Sequence, residues 1–140
     1  MDAQCPFCSP VPEEIVLQNP LCYARYDRYP VSKGHVLIVP FRHFADFFNF
    51  TENEREATFQ LVWQIRTKLD SDLHPDGYNV GVNVGEAAGQ TVMHAHIHLI
   101  PRYHGDVPDP RGGVRFVVPQ RAEYFEQSLT CEAGPENENH

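Results

Sequence analysis

The chain has 140 residues, enough for one compact domain and too few for two well-built ones. Its formal net charge of −8 and pI of about 5.4 argue against a general nucleic-acid binder, because such proteins are usually basic. Apolar residues make up 41%, enough for a core, but no run approaches the ~18 apolar residues of a membrane span. The start, "MDAQCPFCSP", lacks the apolar stretch of a secretory leader, so the expected location is the cytoplasm.

Cys5 and Cys8 form a C-x-x-C knuckle at the N-terminus. A redox pair of this kind wants a strand before it and a helix after it. Here "SPVPEE" follows, where a helix is unfavourable. Zinc is the favoured reading, against a redox pair or two buried structural thiols. Residues 21–31, "LCYARYDRYPV", read as a strand, with Cys22 in the core. Ser32-Lys33-Gly34 is a turn, and "HVLIVPF" at 35–41 is a second strand with a near-continuous apolar run. "HFADFFNF" at 43–50 carries its apolar residues on a helical period and reads as a short helix.

Thr51 with Glu54 three residues on is a capping-box signature. It opens a long helix over 51–73 that stops before Pro75, and Phe50 is placed to staple onto its first turns. Phe59, Val62, Trp63, Arg66 and Leu69 form the expected inward stripe, with Ile65 beside it. Trp63 and the other helix aromatics therefore read as core. "DGYNVGVNVG" at 76–85 alternates and reads as a strand, and "EAAGQTV" is a small-residue loop.

"MHAHIHLIPRY" at 93–103 carries His94, His96 and His98 at alternate positions. Such alternation predicts a strand that turns Ala95, Ile97 and Leu99 to a core and the three imidazoles to the other face. Same-face neighbours lie roughly 6.6 Å apart, so two histidines can meet at one atom while a third in the same shell is awkward. The row suits divided labour. The Gly- and Pro-rich arm over 103–126 is expected to hold one short strand at Val114–Val118. Residues 127–140, with Cys131, read as an acidic disordered tail. His74, His104 and His140 read as surface residues. The sum is a single α+β domain over 1–126: an antiparallel sheet of about five strands, one long helix and one or two short ones.

"GQTVMHAHIHLIPR", with "DRYPVSKGHVLIVPFRHFADF" upstream, resembles the signature of the histidine-triad (HIT) family over roughly residues 5–102. The similarity is strongest to the dinucleoside polyphosphate hydrolases, in particular the fragile histidine triad branch. Cys5-x-x-Cys8 resembles instead the zinc knuckle of zinc-bearing bacterial members and of hexose-1-phosphate uridylyltransferases, although a uridylyltransferase would carry Gln at His98. The resemblance implies a HIT-like fold with sheets joined across a homodimer. It implies a nucleotide hydrolase or nucleotidyl transferase acting at the α-phosphorus of dinucleoside polyphosphates or related adenylyl compounds. It implies a structural zinc on Cys5, Cys8, His43 and His94, and magnesium is a further expected companion of the substrate phosphates. Attack falls to the middle histidine, His96. His98 supports it, with His35 on the adjacent strand as a second candidate. Asp27 matches the position that grips ribose, where the fragile histidine triad branch tends to use Asn. Asn83 stands where that branch uses Gln.

The chemistry agrees with these roles. Imidazole titrates near 6.5, so much of it is neutral and nucleophilic at pH 7. Attack at phosphorus gives a nucleotidyl-imidazole that water can resolve. The phosphate oxygens need donors, and Gln90 together with the backbone of Gly89–Thr91 could supply them. His94 has a second reading as a phosphate contact, and Arg102, Arg111 and Arg115 are candidates for steering polyphosphate. Two rivals remain in view: a catalytic zinc on an H-x-H pair, which needs a third ligand and an open position, and a nucleotide-binding scaffold or sensor whose hydrolysis is incidental.

Overall fold

The computed structural model describes residues 4–124, so the tail reading at 127–140, Cys131 and His140 lie outside the described residues. The chain divides into two units, Met1–Val107 and Pro108–His140. In the first, five strands form one antiparallel sheet: β1 (Ile15–Gln18), β2 (Cys22–Tyr26), β3 (Val36–Pro40), β4 (Gly77–Gly81) and β5 (Ile97–Arg102). Their order is β1-β2-β3-β5-β4. One long helix, α1 (Glu52–Leu73), packs on one face. Between helix and sheet lies the main core, where Ala24, Val36, Ile38, Ile97 and Leu99 meet Leu61, Ile65 and Leu69. On the other face Tyr23, Leu37 and Val39 are covered by Phe7 of the cysteine knuckle. β3 is thus buried on both sides, which explains its unbroken apolar run.

The strand count agrees with expectation, but one member differs. Val114–Val118 is not a strand: Gly113–Val117 is a 3₁₀ turn. Gly112, at φ 92°, turns the chain so that its carbonyl accepts the Arg115 N–H at 2.9 Å, and Pro119 follows at once. The fifth strand is β1, four residues too short to show a period. Its pairing with β2 shifts register between Ile15 and Leu17.

Thr51 caps α1 with the reciprocal bonds of the capping box. Its hydroxyl accepts the Glu54 N–H at 3.1 Å, and the Glu54 carboxylate accepts the Thr51 N–H at 2.9 Å. The buried stripe is Glu54, Thr58, Leu61, Val62, Ile65 and Leu69. It is rotated by about one residue from the expected one, and Trp63 and Phe59 are 69% and 47% exposed rather than core. Phe50 packs with Phe44, Phe47 and Ala95. The predicted helix over 43–50 shrinks to a 3₁₀ turn at Phe47–Asn49. Its carbonyls are spent elsewhere: Phe44 O accepts the Ala95 N–H at 2.6 Å and Ala45 O accepts the Gln90 amide at 2.8 Å. The first of these bonds also draws residues 93–96 out of the sheet, so β5 begins at Ile97 rather than at 93.

Candidate functional site

β2 and β3 put Arg25 beside Leu37, and β3 and β5 put Leu37 beside His98, so the three share the face opposite α1. A cleft of about 420 Å³ opens over this row. It gathers all the residues expected to handle substrate: Asp27, Asn83, Gly89, Gln90, Thr91, His96 and His98. Phe7 and Arg25 line it as well and were not singled out from the sequence. The signal for Arg25 was strand parity, since it stands two residues before Asp27.

Backbone partners fix the histidine tautomers. A carbonyl only accepts and an amide N–H only donates. His96 Nδ1 lies 2.7 Å from the His94 carbonyl, so it carries the proton and leaves a lone pair on Nε2. The Val31 N–H donates to His35 Nδ1 at 3.2 Å, so the His35 proton sits on Nε2. That proton is given to His98 Nδ1 at 2.9 Å, which leaves His98 with an Nε2–H. The cleft therefore presents one imidazole able to attack and one able to donate. Asp27 lies 3.5 Å from His35 Nε2 and accepts the Tyr29 N–H at 2.9 Å.

Burial first, ahead of every other influence, holds His35 and His96 below the usual imidazole value. His98 is pushed down to about 4, by burial and then by His96 and His35, while Asp27 pulls it back up. The unfolded chain takes up this proton near pH 6.5. Stability linked to His98 is therefore complete above about 6.5 and is lost as pH falls toward about 4. Melting curves of wild type and His98→Asn should show it. From pH 7 to 4.5 the wild type should lose up to about 3 kcal/mol more than the variant. A constant gap between the curves would mean that His98 is not held neutral.

Gln90 is buried and fully engaged: its amide donates to Ala45 O and Val92 O, and its Oε1 accepts the Gly85 N–H. The Gly89 N–H is tied to Glu86 O at 2.9 Å. These groups brace the loop rather than offer free donors for a phosphate oxygen. Arg102 binds Asp106 and Asn79, and Arg111 binds Asp109. Arg115 donates to Ala122 O and Arg121 O and lies over the Tyr124 ring. Each candidate steering arginine is engaged locally. His74 and His104 are exposed, as expected, and His74 ends α1 in a left-handed conformation.

Cys5, Cys8, His43 and His94 bring their ligand atoms within 4.8 Å of one another. A tetrahedral zinc with Zn–S of about 2.3 Å and Zn–N of about 2.0–2.1 Å needs S···N edges of roughly 3.5 Å and an N···N edge of roughly 3.3 Å. The site shows S···N distances of 3.5, 3.6 and 3.1 Å and an N···N distance of 3.1 Å. His94 Nε2 donates to Pro40 O at 2.7 Å, which frees Nδ1 to face the sulfurs. This donor set fits a zinc ion. Asp27, His35 and His98 also converge within 4.8 Å. There the Val31 amide keeps the proton on His35 Nε2, which disfavours a metal held by His35.

A five-stranded antiparallel sheet backed by one long helix, with paired histidines in a cleft over its other face, defines the histidine-triad class of fold. Residues 9–105 match the HIT domain, and the chain belongs to that family. It is 37% identical over 105 residues to an uncharacterized HIT-like protein of Mycoplasma genitalium, covering 72% of this chain and 74% of that one. It is 31% identical over 93 residues to an AP-4-A phosphorylase of Mycobacterium tuberculosis, covering 66% of this chain and 48% of the relative. A bifunctional bis(5'-adenosyl)-triphosphatase/adenylylsulfatase of Arabidopsis thaliana is 33% identical over 95 residues, covering 68% of this chain and 53% of its own. Among solved structures, a HIT family protein from Bacillus anthracis gives a TM-score of 0.69 at 35% identity, covering 74% of this chain and 77% of that one. A zinc-bound histidine triad protein from Mycobacterium smegmatis gives 0.65 at 28% identity, covering 81% and 90%. Among the described residues no helix is long and apolar enough to cross a membrane.

Proposed function

We propose that the protein cleaves dinucleoside polyphosphates or related adenylyl compounds at the α-phosphorus through a nucleotidyl intermediate on His96. The observation that carries this reading is the proton order in the cleft: His96 Nδ1 is committed to the His94 carbonyl, so Nε2 is free to attack. A bond forms between His96 Nε2 and phosphorus as the bond from phosphorus to the leaving-group oxygen breaks. His98 Nε2–H is placed to hydrogen-bond a phosphoryl or leaving oxygen, and the Val31–His35 chain holds that proton in place. Water, or phosphate in a phosphorylase, then attacks phosphorus from the other side and releases His96. Asp27 accepts the ribose hydroxyls, Asn83 and Thr91 flank the phosphates, and the braced Gly89–Gln90 turn shapes the wall behind them. The named activities of the Mycobacterium tuberculosis and Arabidopsis thaliana relatives support this substrate class. In this reading a zinc ion on Cys5, Cys8, His43 and His94 is structural and ties the knuckle to the histidine segment.

The test is a panel of diadenosine polyphosphates, adenosine phosphoramidate and adenylyl sulfate, with products resolved by chromatography in the presence and absence of phosphate. AMP release from at least one of them, lost in His96→Ala, is expected. Nucleotide binding with equal, weak turnover in both proteins would favour the scaffold reading.

The working unit of this reading is a homodimer. β4 is an edge strand, and Val80 on it is 52% exposed. Beside it, Phe59, Trp63, Val62 and Val82 line an apolar hollow of about 600 Å³ on the α1 side. An open edge next to exposed aromatics is a surface that soluble proteins usually cover. Joining two β4 edges across a two-fold axis would extend the sheet and bring the two hollows together. Light scattering at micromolar concentration should give twice the 16.0 kDa chain mass. A mass of one chain rejects the dimer.

A further inference from the structure

His35 is buried behind the cleft, while Asp27 and His98, on either side of it, both line the cleft. The side chains of the three converge within 4.8 Å of one another. In the nucleotide reading Asp27 meets the ribose and His98 meets a phosphoryl oxygen, so His35 joins the sugar end of the site to the phosphate end. Its place is fixed by backbone. The Asp27 N–H donates to the His35 carbonyl at 2.9 Å, which ties the end of β2 to the start of β3. The Val31 N–H holds His35 Nδ1 at 3.2 Å. The Tyr29 N–H holds Asp27 Oδ1 at 2.9 Å, and Oδ2 is the oxygen that faces His35.

One proton therefore faces two acceptors. His35 Nε2 lies 2.9 Å from His98 Nδ1 and 3.5 Å from Asp27 Oδ2. The imidazole is the nearer and takes the proton. The carboxylate is farther but charged, and a charged acceptor binds a proton donor roughly twice as strongly as a neutral one. The balance between them decides what His98 shows to the cleft. While its Nδ1 accepts from His35, its own proton stays on Nε2 and can be donated to a phosphate oxygen. When Asp27 draws the His35 proton away, His98 is free to carry its proton on Nδ1, and a lone pair on Nε2 then faces the phosphate.

We infer that the ribose hydroxyls of the substrate act on the chemistry through Asp27 and His35: by engaging the Asp27 carboxylate they leave the His35 proton wholly to His98 and so fix the donor form of His98. This rests on the nucleotide reading of the site and deepens it. A vicinal diol donates two hydrogen bonds to one carboxylate, and a carboxylate so engaged has less pull on a third donor. Asp27 is then a positioning residue as well as a ribose contact. A nucleotide without the two hydroxyls still offers its phosphate to His96, but it leaves Asp27 competing for the His35 proton. The sugar is read in the rate of the chemical step and not in binding alone.

Nitrogen NMR of the whole protein labelled at histidine reads the ring protons directly, with the His98 signals assigned by their absence from His98→Asn. The probes are AMP and 2′,3′-dideoxy-AMP, which carry the same phosphate. At saturation AMP should move His98 toward the Nε2–H form at least about twice as far as the dideoxy compound does. Turnover of diadenosine tetraphosphate and of its 2′,3′-dideoxy analogue gives the kinetic counterpart. Loss of the hydroxyls should lower kcat about tenfold, beyond any rise in KM. Asp27→Asn, of the same size and without the charge, should bring the two kcat values within about twofold of each other. Equal His98 shifts with the two probes, an effect confined to KM, or a kcat gap that survives in Asp27→Asn would each overturn the inference. The wild-type comparisons stand even if the variant melts early. Binding and turnover with no dependence of His98 on the sugar remove only the link through Asp27 and His35. No binding and no turnover with any nucleotide remove the nucleotide reading, and this inference with it.

Discussion

Replacing His96 by alanine is expected to lower kcat by about four orders of magnitude or more, with little change in melting temperature and with nucleotide binding retained. The size follows from the role, since no other cleft imidazole is set to attack. His98 Nε2 carries a proton, and the His94 ring faces the cysteines rather than the cleft. His98→Ala should cost less, about two to three orders, because it removes a donor and leaves the nucleophile. Rapid acid quenching followed by peptide mapping should place a nucleotidyl group on His96 of the wild type. Stereochemistry gives an independent check. Two in-line displacements retain configuration at phosphorus, and a single inversion would rule out the covalent route. His96→Ala retaining more than about a tenth of the wild-type kcat would place the nucleophile elsewhere.

The motif behind these proposed roles was legible in the sequence because it rests on local order. His94, His96 and His98 alternate, and the match to the histidine-triad signature extends upstream through "GHVLIVP". The capping box at Thr51 and Glu54 was legible for the same reason, since both partners lie within one turn. What failed depended on long-range geometry. The 43–50 segment has a helical apolar period, but Ala95 and Gln90 take its carbonyl acceptors from far along the chain. The bonds of the Gln90 amide to Ala45 and Val92, which brace it in the cleft wall, were likewise beyond the sequence. Trp63 looked like core because a helical wheel ranks residues by hydrophobicity, whereas the sheet selects one face. Here it selects the face of Leu61 and Ile65 and leaves the Trp63 side outward. The four candidate zinc ligands were named from the resemblance. Their edge lengths, which only a fold can supply, agree with one ion.

Loss of that metal should reach the chemistry by a traceable route. The wild type, purified without chelator, should carry about one zinc per chain by elemental analysis. Cys5→Ser removes one of four ligands and should release most of it. The expected loss of stability is about 2–5 kcal/mol, the scale of a lost structural cross-link. Two contacts carry the effect onward. The His94 ring is gripped by the cluster, while its backbone carbonyl holds His96 Nδ1 at 2.7 Å. Phe7, between the two cysteines, packs on the His96 ring, and its carbonyl accepts the Tyr23 hydroxyl at 2.6 Å. A loosened knuckle therefore frees both the wall of the cleft and the anchor of the nucleophile. The melting temperature should fall first, and kcat should fall by a smaller factor than in His96→Ala, because His96 is present but less well held. Chelator-treated wild type should behave as Cys5→Ser does, and added zinc should restore only the former. A metal-free protein that melts at the wild-type temperature would remove the zinc assignment.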